Sequence, residues 1–294
     1  MTAQTLEGHR ASAFFYRHPR VRLGGLLSAP MLWLFALYLG SLAVMLVSSF
    51  WTTDTFTGDL VKQGTLTNYQ TLFSQSVYRT VALRTVGIAL TVTVIDLILG
   101  AALAFFASKV VRSRRVRYAL IIMITLPLWA SYLVKGYAWR ITLEQGGVLD
   151  WALKPLGLHG PGLGIPATVL ALAYLWLPYM ALPIYAGLER IPQSLLEASS
   201  DLGAPIARTL RSVVLPLVLP AIVAGSIFTF SLTLGDYIMV RIVGGSSQMF
   251  ANIIYDNIGV AGNLPFAAAA AMFPITVVLL YLLLVRRSGA LENL

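Results

Sequence analysis

The chain has 294 residues, 57% hydrophobic and only 11% charged, with a mean hydropathy of +0.78 and a net charge of +9. A soluble domain carries roughly a quarter charged residues, so the polar residues here are too few to cover a globule, and lipid must solvate much of the surface. The absence of cysteine excludes disulfides and thiol chemistry, and His9, His18 and His159 are too scattered to form a zinc site.

In chain order, residues 1–25 form a polar, basic tail. Six apolar stretches follow, at residues 26–50, 86–107, 118–134, 165–188, 213–234 and 264–285. A bilayer core of ~30 Å needs about 20 helical residues, with roughly 17–25 workable. All six qualify, the third marginally unless it continues past Lys135. Residues 26–50 are too long for the roughly 7–15-residue apolar region of a signal peptide, and no small-x-small site follows, so they read as an uncleaved first transmembrane helix. In lipid every backbone polar group must be satisfied internally, and the alternating segments of a barrel are absent. The expected fold is therefore an all-α integral membrane protein with six transmembrane helices.

With the odd-numbered spans running outward, 14 of the 21 Lys and Arg fall on the side of the two termini. The positive-inside rule then predicts both termini in the cytoplasm. The basic run 109–117 reads as a topology anchor at anionic headgroups rather than a nucleic-acid patch. The outside loops are residues 51–78, 142–164 and 241–263, the last with an amphipathic patch at 249–258 that suits a short interfacial helix. Nothing is large enough to be a separate soluble domain, so any energy-coupling or enzymatic module belongs to another chain.

The inside segment 190–212 is punctuated like a folded unit. Pro192 suits the first position of a helix. Residues 193–202 then carry Leu195, Leu196, Ala198 and Leu202, and Gly203 fits a left-handed cap with Pro205 two residues beyond. A helix of about 11 residues, ~17 Å, is too short to span. Glu197 and Asp201, four apart, share a face. A second short helix, 206–214, presents Arg208 and Arg211 before Leu215-Pro216 opens the fifth span. On residues alone this unit reads either as an interfacial cap on the bundle or as a docking surface.

The spacing Glu197-Ala198-Ser199, three residues, Gly203, nine residues, Val213-x-Leu215-Pro216 resembles the EAA motif of ABC importer permeases, with Ser199 in place of Ala and Val213 in place of Ile. Tyr137-Ala138-Trp139-Arg140, the run from Leu177-Pro178-Tyr179 to Pro183, Glu189-Arg190-Ile191-Pro192 and Leu234-Gly235-Asp236-Tyr237 resemble the B-type permeases of spermidine/putrescine importers. The resemblance covers residues 79–287 and implies a type I ABC importer transmembrane domain in the cytoplasmic (inner) membrane. It further implies a second permease subunit, a cytoplasmic ABC ATPase dimer that binds ATP and Mg, and an extracytoplasmic substrate-binding protein. Residues 192–203 would be the coupling helix, with Leu195, Leu196, Glu197, Ala198, Asp201 and Gly203 meeting the ATPase. No Gly-rich phosphate loop or catalytic constellation occurs, so the chain is expected to hold no cofactor and to be no enzyme.

Several residues are candidates for the substrate pathway. Asp96, mid-way along the second span, reads as a cation-attracting site or as a structural group bonded to Thr91, Thr93 or a neighbouring helix. Asp236 beside Tyr237 suits a polyamine through charge pairing and cation–π attraction, or else an ion pair with Arg140 or Arg241. Tyr137 and Trp139 suit interfacial anchors as well as the pathway. Trp176 and Tyr179 lie deeper, where Pro178 and Pro183 are expected to kink or loosen the fourth span. Rival readings are an importer of the same class with another cargo (an opine, an amino-acid-like compound or a phosphonate) and a stand-alone secondary transporter or channel.

Overall fold

The computed structural model describes residues 19–54 and 57–287. The predicted N-terminal tail therefore lies largely outside the described residues, and the first helix begins at Pro19. Helices α1 (Pro19–Leu34) and α2 (Gly40–Ser48) join through a π-turn, Phe35–Leu39, into one apolar span. This span stands at the periphery, packed mainly on the sixth span. Its end is pinned by α3 (Thr67–Ser74), where Asn68 Nδ2 donates to the carbonyls of Ser49 and Trp51 at 2.9 and 2.8 Å. The intervening loop holds a small antiparallel hairpin, β1 (Thr52–Thr53) and β2 (Leu60–Val61), which the sequence reading did not anticipate.

The centre is built from α4 (Ser76–Phe105), α8 (Ile165–Glu189) and α11 (Leu215–Leu234), each packed on the other two. Helix α4 starts ten residues before the predicted span. The hydroxyls of Thr80 and Thr85 bond back to the carbonyls of Ser76 and Val81, so polar residues that read as loop are absorbed into helix. Glycines let the three backbones approach. A Cβ on Gly225 would lie 2.9 Å from Met180 Sδ, and one on Gly100 would lie 3.2 Å from the Ala181 nitrogen. Helix α8 runs as one helix through Pro178 and Pro183.

The third crossing corrects the expectation of one helix over residues 118–134. Helix α5 (Arg114–Trp129) and the stretch Tyr132–Leu156, which opens with α6 (Tyr132–Leu143), meet at 98°, with Ala130 and Ser131 extended between them. With 16 residues, α5 is about 24 Å long, short of the ~30 Å core. The break has a local cause. Once Ser131 leaves the helix, the carbonyl of Pro127 has no amide partner, and Lys135 Nζ donates to it instead at 2.7 Å. A short helix α7 (Val148–Leu153) and a 3₁₀ turn follow.

The fifth span is also longer than predicted. Helix α10 (Ile206–Thr209) passes through a π-turn, Leu210–Val214, into α11 as one continuous helix of 29 residues. The expected separate second short helix, residues 206–214, is its first nine residues. Beyond it lie α12 (Ile238–Val243), α13 (Phe250–Gly259) and the sixth span α14 (Leu264–Arg287). Helix α13 matches the amphipathic patch and buries Phe250, Ala251, Asn252 and Ile253. The described chain is thus helical, with five unbroken spans and one bent pair.

Candidate functional site

Two regions gather the residues singled out in the sequence, at opposite ends of the bundle. At one end, α9 (Gln193–Asp201) follows the extended Pro192, which is the N-cap and not the first helical residue. Its far end is a Schellman closure. The amide of Gly203 donates to Ser200 O at 2.8 Å and that of Ala204 to Ser199 O at 3.1 Å, with Gly203 at φ +72°. Ser199 Oγ and Thr209 Oγ1 share a hydrogen bond of 2.8 Å, tying α9 to the first turn of the long fifth helix. On the other side, Lys109 Nζ donates to Ile191 O at 3.1 Å, and Arg117 pairs with Glu189 at 3.6 Å. Part of the basic run 109–117 therefore braces the approach to α9, while Arg112, Arg114 and Arg115 stay exposed.

No residue of α9 is buried, so nearly the whole helix is presented outward. Glu197, Ala198 and Asp201 are exposed, and Leu195 is half exposed. Leu196 differs: it packs on the bundle's own cluster of Ala104, Met180, Ile184 and Leu188, which leaves little of it for a partner's pocket. Two apolar residues missed as site residues stand further out, Leu202 at 87% and Ile206 at 79% exposure. They flank the Gly203-Ala204-Pro205 turn, the one sequence signal that marked them.

At the other end, Asp236 lies two residues past the end of α11 and is 7% exposed. It accepts hydrogen bonds from the Tyr132 hydroxyl and from the Met239 amide, the latter at 2.9 Å. The expected ion pair with Arg140 or Arg241 is not formed: Arg140 pairs with Glu144 and Arg241 with Asp256. Burial holds the Asp236 carboxyl above the ordinary carboxylate range, opposed by the hydrogen bonds it accepts. Tyr132, which the sequence reading missed, joins this acid to a file of rings. Centroids run 6.3 Å from Tyr132 to Trp176, 5.7 Å from Trp176 to Tyr179 and 6.4 Å from Tyr179 to Phe228, while Lys135 Nζ sits 5.7 Å over the Tyr132 ring.

The other candidates are apart from this file. Tyr237 stacks on Tyr255 at 4.5 Å with the Arg241 guanidinium over Tyr255, and Trp139 packs on Tyr174 at 5.5 Å. Tyr137 is exposed. Asp96 is wholly buried in the α4 stripe, and neither carboxylate oxygen has a hydrogen-bond partner. The expected bonds to Thr91 or Thr93 are absent because those hydroxyls donate to the carbonyls of Gly87 and Ala89.

Residues 26–289 match the family described as binding-protein-dependent transport system inner membrane component. The chain is 41% identical over 300 residues to the inner membrane ABC transporter permease protein YdcU of Escherichia coli K12, covering 97% of this chain and 95% of that one. It is 31% identical over 234 residues to the spermidine/putrescine transport system permease protein PotB of the same organism, covering 78% and 84%. Among solved structures, a bacterial ABC transporter for import of the acidic polysaccharide alginate has a TM-score of 0.69 at 18% identity, covering 95% of this chain and 99% of that one. An inward-facing methionine ABC transporter chain reaches 0.55 at 19% identity, with 71% and 92% covered.

Proposed function

The chain belongs to the binding-protein-dependent transport system inner membrane components, and from this footing as an ABC importer permease we propose that it moves polyamines inward by alternating access, driven through α9. As a permease it is not itself an enzyme, ATP hydrolysis being the work of a separate subunit. The α9 end faces the cytoplasm in this reading, in accord with the charge count. An ATPase dimer seats α9, a second permease subunit completes the pore, and a binding protein delivers cargo at the opposite end. The observation that carries the reading is mechanical. A short helix closed at its far end by the Gly203 turn, and hydrogen-bonded to the first turn of a 29-residue helix, passes a rigid-body movement on where a loose loop would absorb it.

Spermidine or putrescine as cargo is supported by the relatives named for those compounds. The ring file from Tyr132 to Phe228, with Asp236 at its head, offers cation–π surfaces to an ammonium chain. Asp236 reaches such a cargo once Tyr132 releases it. A different cargo of the same importer class is the second reading, favoured by the higher identity to a permease whose name specifies none.

The test is co-expression with the ATPase, the second permease and the binding protein, followed by ATPase and uptake assays in liposomes. Binding protein loaded with spermidine or putrescine is expected to stimulate hydrolysis and uptake. Stimulation by other cargo alone would move the assignment to the second reading. Failure of any ATPase to co-purify would return the stand-alone carrier.

A further inference from the structure

Beside α9 lies a groove of about 440 Å³ between α4, α8 and the helix formed by α10 and α11. Phe105, Leu188, Leu210, Val214 and Ile222 supply its wall, and the one polar residue is Arg211 at its rim. Arg211 is exposed and forms no ion pair among the described residues. From Arg211 to Ile222 the helix rises through eleven residues, about 16 Å, or half of the ~30 Å hydrocarbon core. The groove thus runs from headgroup depth to mid-membrane, the depth of one leaflet. Leu215 in its lining is 47% exposed, and Leu219 one turn on is 38% exposed, as suits a wall open to lipid.

We propose that this groove binds an anionic phospholipid of the adjoining leaflet, with an acyl chain along the apolar wall and the headgroup phosphate on Arg211. Water would find no polar partners along the wall. A purely apolar helix of another subunit would fill it but leave Arg211 without a counter-charge. A soluble anion would pair with Arg211 and leave the wall bare. An amphiphile meets both demands, and arginine matches phosphate bidentately while its stem lies on apolar surface. The inference rests on the permease reading above and on its orientation. It adds a regulatory consequence: the lipid contacts the π-turn Leu210–Val214, the joint between the α9 unit and the fifth span, so its presence stiffens the transmission.

The whole transporter is reconstituted in nanodiscs of phosphatidylcholine, with and without phosphatidylglycerol, alongside variants Arg211→Gln and Ile222→Trp. Expected are a severalfold rise in binding-protein-stimulated ATPase with phosphatidylglycerol, retention of that lipid by the native complex in native mass spectrometry, and loss of both in either variant. Each variant keeps the basal rate seen in phosphatidylcholine. Equal rates in the two lipids, or a native-like response from Arg211→Gln, overturn the proposal. So does stimulation by added inorganic phosphate in phosphatidylcholine alone, which would mean a plain anion site. High-yield cross-linking from Leu215→Cys to the second permease also overturns it, because the groove would then be covered by protein. If no stimulated ATPase occurs in any lipid, the permease reading itself fails, an outcome distinct from an absent lipid effect.

Discussion

Asp96 raises the sharpest question at the level of single residues. Gly100 and Gly225 both press on Met180, so Asp96, Thr229 and Trp176, each one turn toward the other end, share a layer of the core. Asp96 Oδ1 and Oδ2, Thr229 Oγ1 and Trp176 Nε1 are all buried without partners there. An unpaired charge in such a place costs several kcal/mol, on the order of 3 or more. Asp96→Asn is therefore expected to keep thermal stability and uptake, whereas Asp96→Lys should lower both yield and melting temperature. Loss of uptake by a stable Asp96→Asn protein would instead assign the carboxylate a part in the pathway. Gly203 poses a simpler case. Nothing lies within 4 Å of a Cβ built on it, so its only demand is the φ of +72°. A β-branched residue in that region costs roughly 1–2 kcal/mol, and Asn is tolerated. Gly203→Val should lower the uptake obtained per ATP hydrolysed in proteoliposomes, with Gly203→Asn close to native. Equal ratios for the two variants would mean that the Schellman closure does not matter for coupling.

At the scale of elements, the Ser199–Thr209 bond is what makes α9 and the fifth helix one body. A hydrogen bond of this kind contributes about 1 kcal/mol net, and its two partners should act as a unit in a double-mutant cycle. Ser199→Ala and Thr209→Val are each expected to reduce the ratio of uptake to hydrolysis, and the double variant should do no worse than either. Full additivity would show that the two hydroxyls act separately. The ends of α9 were legible in sequence because a cap is a local device: Pro192, Gly203 and Pro205 are all within the segment they terminate. The break at Ala130-Ser131 was not. Pro127 lies inside α5 just as Pro178 and Pro183 lie inside α8, yet α5 stops two residues after its proline while α8 runs on to Glu189. What fixes the bent form is partly distant, since Tyr132 reaches Asp236 across 104 residues. The same reason hid the ring file: Trp176 and Tyr179 were visible as deep aromatics, but their link to Asp236 runs through Tyr132 beyond the bend. Leu196 shows the converse, an apolar residue of the right helix whose inward turn was decided by packing on a cluster drawn from the second, fourth and fifth spans.

Across the whole molecule, the two functional ends are joined by one continuous piece. The helix from Ile206 to Leu234 is about 44 Å long and begins at the α9 turn. It ends two residues before Asp236, which holds Tyr132 and through it the bent third crossing. A tilt imposed at α9 should therefore reach the Asp236–Tyr132 contact, provided the helix does not flex at the π-turn Leu210–Val214. That turn is the natural weak point, because its wider hydrogen-bond ladder already departs from α geometry. Ser212→Gly combined with Val213→Gly should soften it, each glycine in a helix interior costing about 1 kcal/mol. The α9 docking surface and the ring file are untouched by these changes. The expected outcome is a complex that still assembles with its ATPase and still hydrolyses ATP, but in which binding protein no longer stimulates hydrolysis and uptake falls at least tenfold. Spin labels at the two ends would report the same loss, with movement at α9 persisting and movement near Tyr132 abolished. Native uptake in the double-glycine variant would mean that the fifth helix is not the transmitting element. The drive would then have to pass through the Lys109 and Arg117 braces, which connect α9 to the second, third and fourth spans instead.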